Sequence, residues 1–232
     1  MRVASYNIRK AVGLDRRRDP ARILEVLNAL EADVAVLQEA DLRLGPRPSA
    51  LPRFLIEQET DFQIAHLARN DVSLGWHGNA ILVRKGIDIE ASGHVDLPGL
   101  EPRGAVSVRL RPGKGQGLTV VGVHLGLLRG WRLRQMRTLR DTLGHSTDDV
   151  LIAGDFNEWS PTMGFDPLED AFDVLSPGRS FHSRRPMAQL DRFASGERIA
   201  VTDAGVHETG AARIASDHLP VWADVELTPS KE

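Results

Sequence analysis

The segment Asp149–Pro161 reads DVLIAGDFNEWSP. Its unbroken apolar run is the pattern of a strand covered on both faces. A chain that contains such strands has to stack layers on either side of a sheet. The run ends directly in Asp155, Asn157 and Glu158. Polar residues at that point are either turn formers or the lip of an active site, and other strand ends have to decide between the two.

Strand-like runs recur along the chain, at 2–8, 33–39, 62–67, 78–84, 87–95, 104–110, 118–125, 149–155, 189–194, 198–207 and 219–227. Several carry Val and Ile and are bounded by Gly, Pro or Asp, as strands are. Helical patterns are fewer. Asp19-Pro20 offers an N-cap and a first-turn proline ahead of Ile23, Leu24, Leu27 and Leu30,. After His124, LLRGWRLRQMRTLRDTL sets Leu128, Met136, Leu139 and Leu143 on one stripe, with arginines over much of the rest,. Many strands with two long helices predict an α/β domain of two layered sheets, spanning 1–232 as a single unit; a regular alternating barrel needs more helices. The stretches 97–103 and 157–189 read as loops.

A length of 232 residues is enough to bury a substantial core, and 41% hydrophobic with 26% charged residues is ordinary globular composition,. No run approaches the roughly 20 apolar residues of a membrane span. The chain opens on a strand-like segment with no charged and then apolar leader, so the expected location is cytoplasmic,. The absence of cysteine excludes disulfides, thiolate metal sites and a cysteine nucleophile,. Any metal has to be held by oxygen or imidazole. The net charge of −3 is not that of a dedicated nucleic-acid binder,. Only four of the 29 basic residues are Lys; an arginine skew suits phosphate contact and also arises from GC-rich coding.

The strand ends share one character. Asn7 closes the first, Glu39 the second and His124 the run at 118–125. Asp155 and Asn157 follow 149–155, Asp191 lies between Leu190 and Phe193, and Asp217-His218 precede the last strand. Each has a structural alternative: a turn for Asn7, Asp155 or Asn157, a solvated loop for Glu39 beside Asp41, a satisfied core imidazole for His124. Asp191 in its apolar setting needs a partner if buried. In layered α/β folds the loops at strand ends build the site.

Taken in order, the motifs N, QE, H, GDFN, D and SDH, from SYNIRK to SDHLPVWADVEL, resemble the endonuclease/exonuclease/phosphatase superfamily. That group includes pancreatic-type deoxyribonucleases, exonuclease III-like abasic-site nucleases, neutral sphingomyelinases and inositol polyphosphate 5-phosphatases. The resemblance covers nearly the whole chain. It implies an α/β (α+β) four-layered sandwich, with two mixed β-sheets face to face and helices outside. It implies metal-assisted attack of water on a phosphorus ester, with Glu39 as primary ligand of Mg²⁺ or Mn²⁺ and Asp217 and Asn7 near it. Asp155 is then the group that orients or deprotonates water, while Asn7 and Asn157 donate to phosphate oxygens. Asn157, two residues beyond Asp155, points to the same side if the chain stays extended. His218 sits on the phosphate with Asp191 behind its other nitrogen. His124 is a second catalytic imidazole and Arg103 a phosphate clamp. A His at that strand occurs in the nuclease and sphingomyelinase branches, whereas abasic-site enzymes commonly carry a Tyr there.

The expected substrate is a phosphoester: nucleic acid, a smaller diester or a phospholipid head group. A non-catalytic binding protein is the remaining alternative, and competent residues at every candidate position disfavour it. Arg129, Arg132, Arg134, Arg137 and Arg140 with Trp131 offer a grip on nucleic acid or form a solvated helix face. Trp76 and Trp159 line a pocket or pack under loops, and Asn79 is structural or part of the site. No obligate protein partner is implied.

Overall fold

In a computed structural model that describes residues 1–111, 117–144 and 146–229, the apolar runs divide between two sheets. In chain order the elements are β1 (Arg2–Asn7), α1 (Pro20–Ala29), β2 (Val34–Gln38), α2 (Arg53–Glu59), β3 (Phe62–Ile64), β4 (Ala80–Arg84), β5 (Asp88–Leu97), β6 (Arg103–Arg111), β7 (Leu118–His124), α3 (Arg129–Leu143), β8 (Val150–Asp155), β9 (Asp173–Leu175), β10 (Asp191–Ser195), β11 (Ile199–Val206), α4 (Ala212–Ala215) and β12 (Val221–Leu227). One six-stranded sheet has the order β11-β12-β1-β2-β4-β3 and the other β5-β6-β7-β8-β10-β9. Each is mixed and centres on one parallel pair, β1 with β2 and β7 with β8. A parallel pair puts two C-terminal strand ends side by side. The two sheets together therefore offer four such ends.

Side-chain alternation sorts the core into layers. Val3, Val34, Val36, Ile81, Val106, Val120, Leu151, Ala153 and Phe193 pack into one cluster between the sheets. The opposite parity of the first sheet, including Ala4, Tyr6, Ala35 and Leu37, packs with α1 residues Ile23, Leu24, Val26 and Leu27. Val121, Val123, Val150 and Ile152 of the second sheet pack with Met136 and Leu139 of α3. Helix, sheet, sheet, helix is the four-layered sandwich expected from the sequence. The VLIAGD run is buried at every position because it is the second strand of a parallel pair with a layer on each face. The sheets approach closely: a Cβ on Gly122 would lie 2.8 Å from a Val36 methyl.

Local signals behave as their chemistry dictates. The Asp19 carboxylate accepts from the Arg22 N–H and Pro20 starts α1,. The four buried residues of α1 contribute on the order of 6–12 kcal/mol of apolar burial before chain entropy is counted,. The expected α3 stripe is shorter than the pattern suggested. Leu128 is 58% exposed because it stands just before the first helical turn, where the chain is still extended. Arg132 takes a buried place instead, its Nη2 2.7 Å from Glu158 Oε2.

Candidate functional site

On the strands that meet between the sheets, the parity that carries Val3, Val120, Leu151 and Phe193 into the core continues to the strand ends as Asn7, His124, Asp155 and Asp191. The inter-sheet core thus turns polar at one edge. Register aligns the groups: His124 pairs with Asp155 across β7 and β8, and Asp191 with Asp155 across β10 and β8. Gly154 permits the junction, since a Cβ there would lie 2.0 Å from the Val123 carbonyl oxygen.

Asp155 is buried at the centre. Its Oδ2 accepts from Asn7 Nδ2 at 3.1 Å and its Oδ1 from the Asn157 backbone N–H at 2.9 Å. Two imidazoles face the same oxygen, with His124 Nε2 at 3.5 Å and His218 Nε2 at 3.7 Å. On the far side of the His218 ring, Nδ1 lies 2.8 Å from Asp191 Oδ2. Asp191 is buried and also accepts from the Ser180 hydroxyl, while its Oδ1 has no hydrogen-bond partner among the described residues. The Phe181 ring lies against His218 with centroids 5.0 Å apart, and Trp159 stands edge-on to Phe181 at 5.9 Å.

The charges follow from this packing. Burial pushes the Asp155 carboxyl up to about 6, and the His218 cation opposes that rise,. Burial alone would lower His218, but the charges of Asp191 and Asp155 outweigh it and hold the ring at about 10. Burial, reinforced by Arg103 and His218, keeps His124 well below its ordinary value and therefore neutral at pH 7. One cationic and one neutral imidazole thus flank one carboxylate, an arrangement suited to moving a proton and holding an anion.

Glu39 lies one residue past β2 with its backbone at φ +52, a region a non-glycine residue occupies at a cost,. Burial would raise its carboxyl, but the hydrogen bond and charge of Lys10 prevail and hold it below the usual range. Lys10 reaches Glu39 because Arg9, Lys10 and Ala11 turn left-handed, at φ 47, 57 and 58, and the Lys10 N–H donates to the Glu39 carbonyl at 3.0 Å. Asp217 carries Arg9 Nε at 3.3 Å.

Two sets of residues offer donor types that a cation takes. Asp155, Asp191 and His218 bring their ligand atoms within 4.8 Å of one another, but His218 Nδ1 is engaged by Asp191 and the ring holds its proton. Glu39 and Asp217, with the Asn7 amide, are hard oxygen donors in keeping with Mg²⁺ or Mn²⁺. Cationic side chains, Lys10 and Arg9, rest on both carboxylates and mark where positive charge is favoured. By donor type alone, this second set suits a hard divalent cation better.

Several residues depart from their expected geometry. The chain at Asn157 is not extended: φ is +52, and Nδ2 donates to the Leu125 carbonyl at 2.9 Å, so the amide ties two strand ends together. Asn7 Oδ1 accepts from the Arg9 N–H. Arg103 is buried and paired with Glu101 at 3.1 Å. Asp41 is a structural staple that accepts from the Leu74 and Gly75 N–H groups. Asn79 Nδ2 bridges to the Gly104 carbonyl of the other sheet. Trp76 packs against Gly104 and the His94 ring, whereas Trp159 is 61% exposed beside Phe181. Sequence reasoning passed over Lys10, Arg43, Arg47 and His77; the signal within reach was Lys10 in SYNIRK, three residues past Asn7.

A cleft of about 280 Å³ opens beside Glu39 and His124. A larger one of about 810 Å³ lies at the other end of β8, around Thr147, Asp148 and Asp173. Volume is the weaker guide, because Glu39, Asp41, His77 and His124, whose pKa values are displaced, line the first,.

A model described as Endonuclease/Exonuclease/phosphatase family matches residues 4–218. YbhP of Escherichia coli, a protein described as uncharacterized, is 28% identical over 250 aligned positions, covering 97% of this chain and 96% of its own. Among solved structures, the mannosyl-6-phosphatase Bt3783 of Bacteroides thetaiotaomicron aligns with a TM-score of 0.76 at 17% identity, covering 98% of this chain and all of the other. TDP2 of D. rerio, in complex with a single-strand DNA product, aligns with a TM-score of 0.71 at 17% identity, covering 97% and 98%. At these identities the structural likeness establishes the fold.

Proposed function

Because the chain belongs to the endonuclease/exonuclease/phosphatase family, we propose that it is a divalent-metal-dependent phosphoesterase, most simply a phosphodiesterase acting on nucleic acid or a smaller diester. The observation that carries this is the buried line Asp191–His218–Asp155 meeting His124 at one edge of the inter-sheet core. Asp155, fixed by Asn7 and the Asn157 N–H, orients a water and takes its proton as the water attacks phosphorus; the P–O ester bond breaks and the leaving oxygen departs as an alcohol once it takes a proton from solvent,. His218, kept cationic by Asp191, faces the charge that develops on the phosphoryl oxygens. Neutral His124 donates a hydrogen bond to the same group, and Arg103 at the cleft adds a guanidinium,. Mg²⁺ or Mn²⁺ held by Glu39 with Asp217 and Asn7 would, when bound, neutralise phosphoryl and leaving-group charge. Asp191 acts through His218 and is a positioning residue.

A second reading, a phospholipid-directed phosphodiesterase or phosphomonoesterase, draws on Leu127, Leu128, Trp159 and Met163, which stand exposed on the loops after His124 and Asp155,. The test is release of 4-nitrophenol from bis(4-nitrophenyl) phosphate and from 4-nitrophenyl phosphate, with Mg²⁺, with Mn²⁺ and with EDTA. Metal-dependent release from the diester supports the first reading, and release from the monoester alone moves the assignment to a phosphomonoesterase. Release unaffected by EDTA would remove the metal from the account.

A further inference from the structure

The cleft beside Glu39 and His124 carries more positive charge than the reaction above uses. Lys10, Arg43, Arg47 and Arg103 all line it. Lys10 is neutralised by Glu39 and Arg103 by Glu101. Asp41, the remaining acid of the lining, is bound by two backbone N–H groups, and burial raises its carboxyl. Among the described residues neither Arg43 nor Arg47 has a carboxylate within ion-pair distance.

Arg47 is held in place. Its backbone carbonyl accepts from Ser73 Oγ at 2.7 Å, and the loop is closed by the Leu42 N–H donating to the Pro48 carbonyl. Its Nη1 lies 3.0 Å from His77 Nδ1. A guanidinium has only donors, so Nδ1 is the acceptor and the His77 proton sits on Nε2. Burial, with the charge of Arg47, keeps that ring neutral. The Ala40 N–H donates to the Gly78 carbonyl at 2.8 Å, which fixes His77 and Gly78 against the Glu39 turn. The cleft thus holds two guanidiniums with no carboxylate in ion-pair contact among the described residues and an imidazole with a fixed Nε2–H donor, alongside Glu39, Arg103 and His124.

Resting on the phosphoesterase reading, we infer that Arg43, Arg47 and His77 form a second anion subsite, and that the substrate is a phosphoester carrying a further phosphate beside the one that is cleaved. Paired guanidinium donors match phosphate oxygens. The volume of about 280 Å³ is at the low end for ligand sites and takes a phosphate with a short linker rather than a bulky apolar group. A phosphorylated sugar or polyol and a nucleic-acid backbone both present such a second phosphate.

The test is calorimetric binding of alkane-α,ω-diol bisphosphates with two to six linking carbons, each compared with its alkyl monophosphate, with Mg²⁺ present. At least one bisphosphate should bind tenfold or more tightly than its monophosphate. Arg47→Ala and Arg43→Ala should each cut that advantage to within about threefold, while Arg47→Lys should retain part of it, in proteins whose melting temperatures match the unmodified chain. Displacement of the best bisphosphate by a sugar bisphosphate, or by a thymidine pentanucleotide, supports the subsite and tells which source of phosphate it takes; displacement by neither overturns it. Equal binding of mono- and bisphosphates at every length, or an advantage that survives both alanine variants, also overturns it. These readouts need no turnover. A protein that shows the bisphosphate advantage yet hydrolyses neither the bisphosphates, the pentanucleotide nor the nitrophenyl esters with Mg²⁺ or Mn²⁺ would sink the phosphoesterase reading and leave the subsite standing.

Discussion

Replacing Asp191 with Asn removes the largest of the charges that keep His218 protonated; Asp155 and Asp217 supply the others. Burial would take the ring below its ordinary 6.5; Asp191 and Asp155 instead hold it at about 10. That difference is worth at most about 5 kcal/mol at 1.36 kcal/mol per unit. Asp155 and Asp217 stay in the variant, so a part of this should be lost, about 2–3 kcal/mol, and the variant ring should titrate below the native one,. His218 is a group whose pKa rises on folding. Its stabilisation is complete below about 6.5 and disappears as the pH climbs through about 10,. At pH 7 the variant should therefore melt about 5–10 °C below the unmodified protein, at a few degrees per kcal/mol for a chain of this size. The gap should narrow toward pH 10, where the native ring gives up its proton. The assay is a set of thermal melts from pH 6 to 10.5 in EDTA, with the His218 imidazole followed by NMR in both proteins. An imidazole that titrates at the same pH in both, or a melting gap that stays constant with pH, would refute the coupling.

The remaining predictions concern neighbouring groups. Asp155→Ala should lower phosphoester turnover by about 10²–10⁴-fold, the scale of general-base loss, as read by nitrophenol release. Asp155→Asn should be inactive yet at least as stable as the native chain at pH 8 in chemical denaturation, because a carboxyl raised to about 6 by burial is costly to ionise,. Glu39→Gln should raise the Mg²⁺ concentration for half-maximal activity by about tenfold or more, and an unchanged metal titration would release Glu39 from its assignment. Arg132→Ala strands the buried Glu158 carboxylate and should cost about 3 kcal/mol in denaturant unfolding,; adding Glu158→Gln should recover part of it.

The layered fold was legible because its strands announce themselves. VLIAG and VAVL are apolar at successive positions, short and rich in Val, as a strand with a layer on each face requires,. Three short elements were not legible. α2 buries Ile56 alone, α4 has four residues and β9 three, too little sequence for a period to show,. The Asn7, His124, Asp155 and Asp191 positions could be read because a strand fixes its parity to the end. Asn157 could not be placed, since its left-handed φ breaks that parity two residues past the strand. Lys10 depends on a left-handed turn, and the Arg47–His77 contact spans 30 positions between two loops; neither leaves a local pattern. Arg132 looked like one more solvated arginine, and its burial follows from Glu158, a partner 26 residues away.

The central claim is that water attacks phosphorus at Asp155, and the oxygen atom can be followed. A phosphodiester hydrolysed in H₂¹⁸O with Mn²⁺ should give a phosphate-side product that carries the heavy oxygen, by mass spectrometry, and the Asp155→Ala variant should give almost none. Heavy oxygen in the released alcohol, or equal labelled phosphate from the variant, would contradict the account.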